Sequence, residues 1–373
     1  MNATRRAELM QRWTMTQMQL MPMLATDVGS LTPKLERLIH ILEWVRIEEF
    51  VDASWCGVGR HPHERGWLAN AFVAKAVLEL PTTRALIERL AIDRALRRIC
   101  GFSLYRRLPS EATFSRAFDE FAQAKLAERV HEAFIKEHLG TELIGHISRD
   151  GTAIEARERP RKTEPAPATT DDEAKPIKKR GRPRKDAQQD AAPKLTVKRQ
   201  REQSLADMLA EIATDCDRGT KCNAQGYKVS WNGYKLHLDT ADCGVPISAV
   251  LSSASMHDSR AAIPLSRISA QRVTNLYDLM DAAYCCLDLH EHCREMGHVP
   301  LIDHNPRGGE KEEFDPADAV RYRERTVAER MNARLKDEFG GRQVMVRGGA
   351  KVMSHLMFGV LVLSADQMMR LRQ

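Results

Sequence analysis

Between Arg157 and Arg201 the chain carries fifteen Lys or Arg and seven Asp or Glu, is rich in Pro, Ala and Gln, and has few large apolar side chains. Such a stretch cannot bury enough apolar surface to offset the entropy of ordering it. It has no place in a core and is expected to be disordered or extended, so the rest of the 373 residues must fold around it. Its net +8 exceeds the +6 of the whole chain, leaving −2 for everything else. The basic character is therefore concentrated in one segment.

Residues 1–140, ahead of that segment, read as helical. Leu31 to Phe50 is amphipathic, Arg65 to Leu80 is a run of helix formers ended by Pro81, and Thr82 or Thr83 caps a helix running to Ile92. Leu108 to Phe118 then forms a capped entry into a helix whose first turns carry Ser115 and Arg116. A recognition helix would present polar and basic groups in this way, as would an ordinary surface helix. Residues 141–156 supply a strand, expected at a sheet edge, before the basic segment 157–201.

Residues 202–373 change pattern. Tyr227 to Trp231 leads through Asn232-Gly233, a two-residue turn signal, into Tyr234 to Asp239; a turn at Asp242 to Gly244 precedes a third strand, Val245 to Leu251. His257-Asp258-Ser259 caps a helix, Val273 to Met280 is a strand, Leu287 to Met296 a helix and Val299 to Ile302 a short strand. A meander followed by alternating strand and helix predicts an α/β domain with a mixed sheet flanked by helices.

Composition narrows the remainder. At 43% hydrophobic and 29% charged the chain reads as an ordinary soluble protein, and its longest apolar run, Leu356 to Ala365, is too short to span a bilayer and reads as a buried helix. Eight scattered cysteines suit reduced thiols. The group Cys285, Cys286, His290, His292 and Cys293 invites a zinc reading but lacks paired CxxC spacing, and Cys286, Leu289, Cys293 and Met296 fit an apolar helix face.

The chemistry concentrates near the C-terminal end. If Tyr322 to Lys336 is helical, about 100° per residue places Arg325, Glu329, Asn332 and Lys336 on one narrow arc, with Tyr322 at its edge. Val327, Ala328, Met331 and Leu335 fall opposite, as an anchoring stripe. A carboxylate among cations and a phenol suits a site that holds a metal ion and grips phosphate. Two aspartates are expected at strand ends: Asp150, before a turn at Gly151-Thr152, and Asp281, before Ala282-Ala283-Tyr284. Asp278, inside a strand, and Asp258, a helix cap, are rival carboxylates.

These residues carry a resemblance to bacterial insertion-sequence transposases of the DDE class. Tyr322, Arg325, Glu329 and Lys336 match the Y-x2-R-x3-E-x6-K pattern without departure in spacing, Asp150-Gly151-Thr152 resembles the first-aspartate strand, and Asp281 to Tyr284 resembles the second. Gly233 to Lys235 and His257 to Ser259 look like further recurring elements. Within the basic segment, Lys178 to Lys185 resembles an AT-hook, in which Arg180, Arg182, Arg184 and Lys185 would enter a narrow minor groove; a solvated basic linker is the alternative. The segment itself departs from the family pattern as a long insertion.

The resemblance implies an RNase H-like catalytic domain after an all-helical N-terminal DNA-binding domain. It implies that Asp150, Asp281 and Glu329 ligate Mg2+, with Mn2+ able to substitute, and that Tyr322, Arg325, Lys336 and Asn332 hold DNA. The implied partners are terminal inverted repeats and target DNA, met by a homodimer or higher assembly with no membrane, in the cytoplasm at the nucleoid. A non-catalytic DNA-binding regulator and an RNase H-like nuclease are the alternatives.

Overall fold

A computed structural model describes residues 31–51, 63–160, 196–222, 225–306 and 309–372. The AT-hook-like run with Arg180, Arg182, Arg184 and Lys185 lies outside the described residues.

The first described part is helical, and the caps expected at Thr82 or Thr83 and ahead of Phe118 are present, at Thr82 and Ser110. In α1 (Pro33–Val45), Thr32 accepts from the Leu35 N–H and Pro33 takes the first helical position. A 3₁₀ turn, Ile47–Phe50, follows. Helix α2 (Arg65–Val77) is buried along nearly its whole length. Thr82 caps α3 (Thr83–Ile92), Asp93 caps α4 (Arg94–Ile99) and Ser110 caps α5 (Glu111–Gln123). Helix α6 (Leu126–Leu139) leads into the sheet.

The second part runs β1 (Leu143–Glu155), α7 (Val197–Glu202), α8 (Leu205–Glu211), β2 (Asp217–Cys222), β3 (Lys228–Ala241), β4 (Pro246–Ser253), α9 (Ser259–Ala270), β5 (Thr274–Met280), α10 (Leu287–Glu295) and β6 (Val299–Ile302). Three helices close it: α11 (Pro316–Tyr322), α12 (Thr326–Glu338) and α13 (Gly349–Leu371). The six strands form one mixed sheet of order β2-β3-β1-β5-β6, with β4 also paired to β3. β3 is antiparallel to β1, β2 and β4, whereas β1, β5 and β6 are parallel through helical crossovers. This mixed sheet between helices is the expected RNase H-like arrangement.

Four expectations change. β1 is central, not an edge, because β3 pairs on one side and β5 on the other. It also continues through Gly151-Thr152 to Glu155, so Asp150 lies inside a strand. Gly151 is required by packing there: a Cβ would lie 2.9 Å from His237 Nδ1. Likewise Asn232-Gly233 makes no hairpin turn, since β3 runs through it; a Cβ on Gly233 would lie 2.1 Å from the Ile154 carbonyl oxygen, which explains the glycine by close approach. Finally, the basic segment is ordered at both ends. Glu158 accepts from the Tyr234 hydroxyl and the Gly348 N–H, and Thr196 caps α7, whose Gln200 is fully buried and whose Arg201 pairs with Asp288, Glu291 and Glu295 on α10.

The two parts share one hydrophobic core. It runs from Leu38, Phe72 and Phe114 in the helical part through Ile147, Leu236 and Leu238 in the sheet to Leu361 in α13. Helix α13 is long and apolar enough to cross a membrane by length and composition, yet it is mostly buried inside the fold, with Phe358 stacked on Phe118.

Because side chains alternate along a strand, β1 sends Arg149 and Asp150 to opposite faces. Arg149 forks onto Asp239 at 2.7 and 2.8 Å, Ser269 of α9 donates to the same carboxylate, and Asp278 lies 3.7 Å from the guanidinium. The opposite face, bearing Asp150, is covered by α12, whose Asn332 donates to it.

Candidate active site

The register of the parallel pair brings the two aspartates together. Ile147 lies beside Asp278 and Ser148 beside Leu279; the same offset sets Asp150 level with Asp281, the first residue past the end of β5. Neighbouring strands lie about 4.8 Å apart, and positions level in register point to the same face. Asp281 also shapes its own turn, accepting from the Ala283 N–H at 2.9 Å and capping the 3₁₀ turn Ala282–Tyr284.

Helix α12 brings the third carboxylate across the sheet. The expected single helix from Tyr322 is interrupted: α11 ends at Tyr322, Arg323–Arg325 form a 3₁₀ turn, and α12 starts at Thr326. The stripe is as expected, with Val327, Ala328, Met331 and Leu335 buried. Glu329 occupies the first turn, where the helix dipole favours a carboxylate. Its side chain is half exposed and takes a hydrogen bond from Arg325 at 2.5 Å.

Electrostatics link the three acids. Burial pushes the Asp150 carboxyl up to about 6; Asp281 and Glu329 add to the rise, while the Arg325 charge and the Asn332 amide oppose it. Burial also raises Asp281, against the Ala283 N–H and Arg325, with Asp258 and Asp303 adding to the rise. Arg325 thus counters negative charge at both aspartates while paired with Glu329. Tyr322 packs on Phe314 at 4.8 Å between ring centroids, and burial pushes its phenol up to about 12. Lys336 is half-buried; burial lowers its pKa, the cations of Lys221 and Arg342 lower it further, and Asp150 and Glu155 act the other way.

The donor set suits a hard divalent cation: carboxylate oxygens held level by the sheet, beside a buried amide oxygen, Asn332 Oδ1, that has no hydrogen-bond partner among the described residues. As they stand, no three His, Cys, Asp or Glu side chains among the described residues are gathered closely enough to enclose an ion.

The other expected residues divide. Asn332 is nearly buried, and its amide donates to Asp150 Oδ2 at 2.9 Å. Ser115 and Arg116 are exposed on α5. Asp278 is buried with His298 and Arg149 on the other side of the sheet. Asp258 stands at the start of α9 but makes no side-chain cap; it pairs with Lys235 Nζ at 2.8 Å, a link between strand and helix that no local motif announces. In the Cys/His group, Cys293 is buried in an apolar cluster with Leu289, and Cys286 packs against it, as the helix-face reading expects; His292 meets Ser266.

Two family descriptions match the chain: Transposase DDE domain over residues 150–364, more than half of its length, and Transposase domain (DUF772) over residues 27–120. The first begins at Asp150 and encloses Asp281 and Glu329. No curated protein and no solved structure matches.

Proposed function

Since the chain belongs to the DDE transposases, we propose that it binds the ends of an insertion sequence and catalyses metal-dependent DNA cleavage and strand transfer, with Asp150, Asp281 and Glu329 as metal ligands. The observation that carries this reading is the register that sets Asp150 level with Asp281 beneath the α12 turn bearing Glu329.

Mg2+, or Mn2+ in its place, would be held by the three carboxylates, and when bound it supplies water activation and charge neutralisation at the scissile phosphate. The protein's own groups supply alignment. Asn332 fixes one oxygen of Asp150 and leaves the other free to turn toward the site. Arg325, released from Glu329, offers a two-pronged phosphate contact, and Lys336 offers a point charge beside Asp150. Tyr322 stays a neutral hydroxyl donor at any physiological pH. Water cleaves the end to leave a 3′-hydroxyl, which then attacks a target phosphodiester and displaces one of its oxygens. Two ends joined in one event require at least two copies of the chain, in the setting of the nucleoid.

One observation favours a second reading, a DNA-binding regulator without catalysis: the Glu329 carboxylate is already paired with Arg325. Glu329→Gln decides between them. The variant should lose Mn2+-dependent cleavage of an end-bearing duplex and keep DNA binding. Cleavage at the unaltered rate would remove Glu329 from the ligand set, and a parent protein that binds DNA but never cuts it under any divalent metal would leave the regulator.

A further inference from the structure

We infer that the surface formed by Arg94, Arg97, Tyr105, Arg106 and Arg107 docks duplex DNA through its phosphate backbone, in place of the exposed side of α5. This rests on DNA as the family's partner and is independent of the carboxylate assignment.

From Arg94 to Ser110 there are five arginines and no Asp or Glu. In α4 the apolar residues Ala95, Leu96 and Ile99 are buried, so the roughly 100° spacing turns Arg94, Arg97 and Arg98 to the other side. The loop that follows is anchored to that side. Phe102 is buried against Trp67 and Phe114, its N–H donates to the Arg97 carbonyl at 3.0 Å, and the Arg97 guanidinium donates to the Arg106 carbonyl. The anchoring holds Tyr105 at 94% exposure, beside exposed Arg106 and Arg107. Among the described residues no carboxylate pairs with Arg94, Arg106 or Arg107. A fixed loop that holds unpaired guanidinium groups and an aromatic ring in water suits a phosphate backbone, to which Arg binds with two parallel N–H groups.

Helix α5 has the opposite character. Its outward residues include Glu111, Asp119 and Glu120 against the single cation Arg116. Those acids are tied to Arg84 at 3.2 Å, Lys351 at 3.1 Å and Arg65 at 2.7 Å. With its acids taken up in these pairs, α5 offers a phosphate backbone only the cation Arg116 from its own residues.

The test is fluorescence anisotropy of a labelled random-sequence duplex across a NaCl series. Every phosphate that a guanidinium ceases to neutralise takes about 0.9 from the slope of log K against log salt, so Arg106→Ala/Arg107→Ala should flatten it by about 1.8. Arg106→Lys/Arg107→Lys should keep the slope, and Tyr105→Ala should weaken binding without altering it. Arg116→Ala should match the parent protein. The loop is held through backbone groups and Phe102, so these exchanges leave the fold intact, as circular dichroism can verify. An unchanged slope in the double alanine variant, or an equal loss from Arg116→Ala, would overturn the assignment. A parent protein that binds but does not cut counts against the carboxylates alone and leaves these slopes to judge the surface.

Discussion

Asn332 lies on the arc where its sequence position suggests a hand for phosphate, yet its amide is buried against Asp150. The difference is chemical: an amide nitrogen can donate to either anion, and helical spacing alone cannot say which one lies within reach. Contact with Asp150 predicts a metal phenotype. Groups that orient a ligating carboxylate typically contribute about 10–100-fold in metal affinity, so Asn332→Ala should weaken Mn2+ binding by about that factor in a paramagnetic-resonance titration. Asn332→Asp would set a further negative charge beside Asp150, so it should lower metal-free thermal stability and enlarge the stabilisation that Mn2+ provides. If both variants keep normal Mn2+ affinity and lose only DNA affinity, the residue belongs to the DNA surface after all.

At the scale of elements, the position of α12 depends on how closely it crosses α13. Gly359 sits at the crossing: a Cβ there would lie 2.6 Å from the Phe339 carbonyl oxygen and 2.9 Å from a Leu335 methyl. The side chain could shift; the backbone oxygen could not. Gly359→Ala should therefore force the helices apart at a cost of about 1–3 kcal/mol, measurable by denaturant unfolding. Cleavage should fall further than the small unfolded fraction accounts for, because α12 carries Glu329 and Asn332 over Asp150. Unaltered stability would mean that the crossing yields more freely than the contacts indicate. The sequence made the stripe Val327, Ala328, Met331 and Leu335 legible, because one-sided apolar spacing encodes which side is buried. It did not make the partner legible, nor the 3₁₀ break at Arg323–Arg325, whose polar residues carry no apolar period. The same limit explains Asn232-Gly233: a turn signal is local, whereas the demand for glycine there comes from Ile154, far away in sequence.

On the scale of the whole molecule, the boundary near residue 140 is a change of pattern and not a break in the core. Composition separates the helical part from the sheet, but α13, drawn from the far end of the chain, packs into both, and polar contacts lock the joint. His131 of α6 is fully buried there, with Nε2 at 3.1 Å from both the Pro246 carbonyl at β4 and Ser364 Oγ of α13, and Nδ1 at 3.2 Å from Arg272. Burial, with the Arg272 charge, pushes its imidazole down to about 3, against the pull of the Pro246 carbonyl. The unfolded chain accepts this proton near pH 6.5 and the folded one refuses it until about pH 3, so its contribution is intact above 6.5 and is lost as pH falls through that window. Each such histidine should lower the unfolding free energy by about 1.4 kcal/mol per pH unit well below about 6.5. His131→Asn should be less stable at about pH 7.5, because the imidazole packing is removed, yet its urea-unfolding curve should fall less steeply with acid, by one proton per molecule. Carboxylates that titrate in the same range act on both proteins and cancel in the difference. Parallel pH curves for the two proteins would mean that His131 titrates freely in the fold, and that the joint between the helical part and the sheet is open to water.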